Sequence, residues 1–316
     1  MTKFVLFLIL FSSLYSAEVQ LPHAMLQASG GVVDLVLSND KLYSATKASS
    51  VDIFDMKTKT LIEKITVDKV TDFVGDIIDS KVYSVDVLKD KVLLLSQAEQ
   101  GYRRVHIHMP NQTELIIPQS AKLSIAKAKF LDENTILLAL LSNDLISYDI
   151  KNKKQNWNVQ VSQSKFSDFS LNEDKTQVIV ADESGNLKLY KTSDGSLIKT
   201  FNDKNLDNVF QVDYKNGIIA TAGQDRKVVI YSATSGSAYF KNASFLIYTV
   251  ALSPSAKLAA YLNDENNNVT IFNTNSKNEI GTFGGNKMTL SKILFVNETE
   301  FLVSSDDTKI NLYKIK

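Results

Sequence analysis

Short apolar runs punctuate this chain at an almost constant interval. The clearest end in an aromatic residue: Tyr190 in LKLYKT, Tyr231 in VVIYSA, Phe272 in VTIFNT and Tyr313 in INLYKI, each 41 residues after the one before. Tyr148 in LISYDI lies 42 residues ahead of Tyr190, and Leu95 in VLLLSQ and Phe54 in VDIFDM continue the series more weakly. A period near 41 filled with short strands is the spacing of a four-stranded propeller blade.

The unit from Asn208 shows the grammar. The alternating run Asn208–Asp213 is followed by Gly217–Ala222, a polar turn, Val228–Tyr231, a Thr-Ser-Gly turn and Ala238–Phe240. Four such runs separated by Gly, Ser, Asn and Asp predict an antiparallel meander. One sheet cannot bury both of its faces, so units of this kind must stack. Seven anchors predict an all-β, seven-bladed β-propeller of four-stranded antiparallel blades. The last unit has three strands, and the spare segment Val19–Ala28 is expected to supply the fourth, closing the ring and covering two sheet edges.

In the first half, Lys41–Ala45 with Val51–Phe54 predicts blade one. Lys81–Val85 with Val92–Leu95 predicts blade two, and Asn134–Leu141 with Leu145–Tyr148 predicts blade three. This phasing leaves 53 positions between Leu95 and Tyr148, 12 beyond the regular interval. It assigns the surplus to an extended loop over Met109–Ser120, where Leu115, Ile116 and Ile117 lie between two prolines. Tyr102–Met109 then becomes the outermost strand of blade two.

Residues 1–17 stand apart from this pattern. Lys3, the apolar run Phe4–Phe11 and the small residues up to Ala17 have the form of a cleavable export signal, so 18–316 is the expected propeller domain and the periplasm its expected compartment. The apolar run is short for a bilayer span, and no second long one follows, so no membrane insertion is expected after cleavage. The chain has no cysteine, so no disulfide or thiolate metal site is open to it. Lys plus Arg balances Asp plus Glu at 35 each, which argues against nucleic acid as a partner.

The segment Ala222-Gly-Gln-Asp-Arg-Lys-Val-Val-Ile-Tyr231 resembles the WD40 repeat, in which a small-Gly-x-Asp turn precedes a hydrophobic strand. Asp307 stands six residues before Tyr313 as Asp225 does before Tyr231, and Asp55 and Asp149 directly follow their anchors. Tyr, Phe or Leu replaces the repeat's Trp throughout, and no Gly-His pair opens a blade. The buried polar arrangement of WD repeats is therefore expected to be largely absent, with apolar packing in its place. Signal segment, length and degenerate repeats together also resemble the NapL-type propeller of periplasmic nitrate reductase systems. That resemblance implies an accessory role toward this enzyme and a partner among its components.

Candidate chemistry is sparse. His106-Ile107-His108 on a strand would point two imidazoles to one face, and His23 and Met25 lie in the proposed closing strand; two or three donors do not complete a metal site. Asp264–Asn268 and Asn202–Asp207 resemble calcium loops in composition but lack the Gly and distal Glu spacing. No catalytic motif, cofactor site or metal site is expected. Two function classes remain: a non-catalytic scaffold for protein–protein interaction, or a channel enzyme such as a lactonase-like hydrolase or quinoprotein-like oxidoreductase, for which Trp157 is the only tryptophan. The scaffold reading places partner contact on Asn111, Leu115, Ile116, Ile117, Asp225, Arg226 and Asp307, all on one rim.

Overall fold

The computed structural model describes residues 18–110 and 112–316. The predicted export signal lies outside them, and so does Asn111. Seven four-stranded antiparallel sheets follow one another in chain order. Their innermost strands touch in sequence, and Leu290–Phe295 of the last sheet touches Val32–Ser38 of the first, so the sheets form a ring. The expected architecture holds.

The core lies between blades. Tyr231, Tyr261, Tyr313, Phe54 and Phe272 are fully buried. Phe283, Phe301 and Tyr313 form a cluster with ring centroids 5.0 to 5.8 Å apart, at the junction of the last two blades. Outer strands such as Lys154–Gln160 are mostly solvated, because only their inner neighbours have a sheet on both faces. Trp157 is on this outer strand; its indole N–H donates to Thr192 O of the next blade at 3.1 Å, on the outside of the ring.

Ring closure occurs as expected and reaches further than one strand pair. Ala24–Gln27 pairs antiparallel with Lys309–Lys314, burying Leu26. Just before it, Gln20 bridges to the sixth blade through Gln20 N to Thr282 O and Gly284 N to Gln20 O, both 2.9 Å. Just after it, Ser29 N donates to Asp52 Oδ2 of the first blade at 2.6 Å. Eleven or so residues thus latch three blades.

Blade two corrects the predicted phasing. Val82–Leu88 is its first strand, Lys91–Gln97 its second, Arg103–Met109 its third and Gln112–Ile117 its outermost. Val92 pairs with His108 as Leu42 pairs with Phe54 and Ile136 with Tyr148, so the anchor of this blade is His108 and not Leu95. The surplus residues therefore fall elsewhere. A hairpin of Val70–Thr71 and Ile77–Ile78 stands between blades one and two, and a turn with a short 3-10 segment at Glu99–Gly101 joins the second and third strands of blade two. The predicted loop is in large part a strand. Its apolar end, Ile116 and Ile117, is buried against blade three, which is what an outer strand does when its neighbour offers a face.

One other expectation changes. Polar links do replace the missing WD arrangement: Asn205 Nδ2 donates to the Tyr231 hydroxyl at 2.9 Å and Thr221 Oγ1 donates to Asn205 Oδ1 at 2.8 Å. Asn143 Nδ2 and Ser162 Oγ meet Asp182 Oδ2 at 3.0 and 2.6 Å. Asp55 and Asp149 act locally, accepting main-chain N–H groups of the turns that follow them.

Candidate functional site

Two regions stand out from the repeat: the channel at the ring axis and the rim that bears the hairpin. The channel is built by a shared backbone irregularity. In six of the seven innermost strands the ladder slips by one residue near its start, at Val32/Asp34, Val82/Ser84, Ile125/Lys127, Phe166/Asp168, Val209/Gln211 and Leu290/Lys292. A bulge re-aims the side chain that follows it. Asp34, Ser84, Lys127, Asp168, Gln211 and Lys292 accordingly all line one end of the channel.

These groups bridge the blades. Carboxylates accept main-chain N–H groups from the next blade: Asp34 Oδ2 from Val85 (3.2 Å), Asp86 Oδ2 from Phe130 (2.8 Å), Asp168 Oδ2 from Val212 (3.1 Å) and Asp213 Oδ2 from Leu252 (2.8 Å). Lys127 Nζ crosses from blade three to Asp168 Oδ1 at 2.6 Å and Phe169 O at 2.8 Å. Thr249 Oγ1 accepts from Ile293 N at 3.2 Å, and Lys292 Nζ lies 3.7 Å from Asp34 Oδ1. Every junction of the ring is crossed by at least one polar contact.

The electrostatics follow from burial and proximity. Burial opposes ionisation of Asp34, but Lys129, Lys292, Lys127 and the Val85 N–H outweigh it and hold this carboxyl at about 2. Burial likewise opposes charge on Lys292, and Asp34, Asp168 and Asp213 overcome it, raising that ammonium above the ordinary lysine range. For Lys127 burial wins over Asp168, and its value falls. Asp213 is lowered, burial being outweighed by Lys215 and the Leu252 N–H.

The hairpin rim is different in kind. Asp72 Oδ1 accepts from Val74 N and Asp76 N, both at 2.9 Å, and Gly75 has a positive φ of 97°, so the tip is held by its own turn. That geometry leaves Phe73 fully exposed (100%) and Val74 and Ile77 at 67% and 75%. A cleft of about 720 Å³ separates the hairpin from the Glu99–Gly101 turn, so both insertions of blade two border one hollow.

The predicted partner residues divide. Asp225, Arg226 and Asp307 lie in turns between second and third strands, on the hairpin's rim. Asp225 is largely committed there, accepting from Leu206 N at 2.9 Å and Lys227 N at 3.1 Å; Asp307 accepts from Thr308 N at 2.7 Å. Leu115 is on the outer wall of blade two, 42% exposed. Ile116 and Ile117 are core. Pro110, next to Asn111, borders a groove with Asn39, Lys89 and Asp90 on the opposite rim, so the predicted single surface is not formed. With Leu95 as the anchor of blade two, the repeat leaves no surplus ahead of that blade and so no room for the hairpin. The matching turns Ser38-Asn39-Asp40-Lys41 and Leu88-Lys89-Asp90-Lys91 carry the signal that sets the phase correctly.

The two histidines are held apart by different partners. His106 is buried with Nε2 3.3 Å from Ser96 Oγ; burial first, then the Arg104 charge, lowers it to about 4. His108 Nδ1 lies 2.8 Å from Thr113 Oγ1, and its Nε2 faces Glu63 Oε1 at 3.6 Å. His23 faces Glu300 Oε1 at 3.9 Å in the last blade. Among the described residues no group of three or more His, Cys, Asp or Glu is gathered as a metal site, and no helix is long and apolar enough to cross a membrane. No protein-family description and no curated protein matches this chain.

Proposed function

We propose that this chain is an exported, non-catalytic propeller scaffold that binds protein through the rim bearing the Val70–Ile78 hairpin. The observation that carries the reading is the apolar tip, Phe73, Val74 and Ile77, held out in water by a turn closed on the Asp72 carboxylate. Contiguous exposed apolar surface of this kind marks interaction sites, and loops on a fixed scaffold are where binding residues concentrate. The segment over residues 1–17 supports export to the periplasm, and the Ala222–Tyr231 motif supports a WD40-like relation. The NapL-type resemblance names the partner class: components of the periplasmic nitrate reductase system, toward which the protein acts as an accessory factor.

The test is a double substitution, Phe73→Asp with Ile77→Asp. Capture of nitrate reductase components from periplasmic extract should fall at least tenfold on the order expected for loss of a central apolar anchor, with the melting temperature unchanged. Undiminished capture would remove the hairpin from the interface. A deletion strain with normal nitrate reduction would remove the nitrate reductase assignment.

A further inference from the structure

The half of the channel that opens on the rim of first-to-second-strand turns has an unbalanced lining. Lys127, Lys129, Lys175, Lys215 and Lys292 surround a cavity of about 290 Å³ there; with Asp34 and Asp168, which pair with Lys129 and Lys127 from just outside it, five ammonium groups meet four carboxylates, of which only Asp86 and Asp213 line the cavity itself. Both carboxylates are engaged by the main chain. Asp86 accepts from Phe130 N, and Asp213 accepts from Leu252 N at 2.8 Å and Tyr214 N at 3.0 Å.

The ammonium groups, by contrast, retain donors. Each carries three N–H groups. The Lys292 ammonium has its nearest carboxylate oxygen, Asp34 Oδ1, at 3.7 Å, longer than an ordinary hydrogen bond. Lys175 donates once, to Phe130 O at 2.8 Å, with Asp86 Oδ2 only at 3.9 Å. Lys215 donates to Leu252 O at 2.6 Å and has Asp213 at 3.5 Å. Spare N–H donors facing a narrow space with apolar walls create a field that an anion can neutralise, and such fields are stronger where water is limited.

We propose that this half of the channel binds a small organic dianion, a dicarboxylate of four to six carbons. Size sets the upper limit, since the cavity is at the lower end of small-molecule sites, about 300 Å³ and upward. Two depths of positive charge set the need for two anionic groups. Lys292, Lys129 and Lys215 all lie on inner strands: counted from the level shared by Lys292, Lys127 and Gln211, Lys129 is two residues further along and Lys215 four, roughly 13 Å of backbone at about 3.3 Å per residue. Long lysine arms reach inward from both depths. Val36, Ala251 and Leu294 line the wall and suit a methylene spacer.

The site is independent of the hairpin rim, and its test is separate. Calorimetry and thermal melts of the purified protein at fixed ionic strength would compare succinate, adipate, butyrate, succinamide and inorganic phosphate. One dicarboxylate should bind saturably at one equivalent and raise the melting temperature, succinamide should do neither, and butyrate should bind at least tenfold more weakly. Lys215→Met at the channel mouth should weaken that binding at least tenfold while the unliganded protein still melts normally, and Lys292→Met should do the same. If Lys292→Met does not fold, Lys175→Met takes its place. Phosphate binding with no response to either dicarboxylate would overturn the proposal. So would the lack of any saturable response, or binding that survives the lysine substitutions.

Discussion

Blade five and blade two follow one plan and depart from it differently. In blade five a short turn at Asp225 and Arg226 leads to Tyr231, fully buried and hydrogen-bonded to Asn205. In blade two the same position is His108, the turn before it is longer, and a hairpin precedes the whole unit. Yet the inner strands of both blades carry the same slip and meet their neighbours in the same way. Extra residues have accumulated where sheets do not pack, on one rim. Packing between blades tolerates variation in connections because it depends on the strands alone.

The strongest way to break that comparison is to open the ring. Removing residues 18–28 takes Leu26 out of the core and unlatches blades six and seven. A loss of about 5 kcal/mol or more is expected from a buried leucine plus several hydrogen bonds, read as a lower urea midpoint in the purified protein. An unchanged midpoint would show that the latch is dispensable.

Next in size is Asp34→Ala. It leaves Lys129 and Lys292 near the axis without their shared carboxylate, and breaking a buried pair from one side costs about 3 to 5 kcal/mol. If stability falls by less than about 1 kcal/mol, the channel pairs contribute little to the ring, in regular and irregular blades alike.

His106 sharpens the contrast through pH. Its folded value of about 4 lies below the ordinary 6.5, so the unfolded chain binds its proton first. Its neutral burial therefore costs nothing above pH 6.5, and stability is lost as pH falls from there toward 4, by up to about 3 kcal/mol. Asp34 adds a second loss only as pH falls from about 3.8 toward 2. Chemical denaturation at several pH values should show a shallower decline between 6.5 and 4 for His106→Asn. An identical slope would place the acid sensitivity elsewhere.

The smallest effect compares the two anchors directly. Tyr231→Phe strands the Asn205 amide in the core and should cost about 1 to 2 kcal/mol. His108→Phe removes only a partly exposed pair with Thr113 and Glu63 and should stay within about 0.5 kcal/mol. Equal costs, measured as denaturation midpoints, would mean that blade two relies on its anchor as blade five does.

Much of the fold was legible because strand periodicity and turn chemistry repeat. Tyr190, Tyr231, Phe272 and Tyr313 mark third strands correctly, since a large residue is needed wherever one sheet covers the next. Leu95 misled for the same reason: a continuous run of leucines satisfies a buried second strand as well as a third. A phase set on Leu95 makes Met109–Ser120 an insertion and leaves the true one, with Phe73 at its tip, without a signal.

By itself the sequence determined the number of blades, the antiparallel meander and the use of an N-terminal strand to complete the last sheet. Each of these is local or periodic, fixed by which residues alternate and where turns interrupt them. The channel was decided only by the tertiary structure. Asp34, Lys127, Asp168 and Lys292 are scattered over some 260 positions and share no motif; a one-residue slip in the inner strand that carries each of them turns them toward a common axis. Charge on that axis depends on distances between blades, which no single repeat contains.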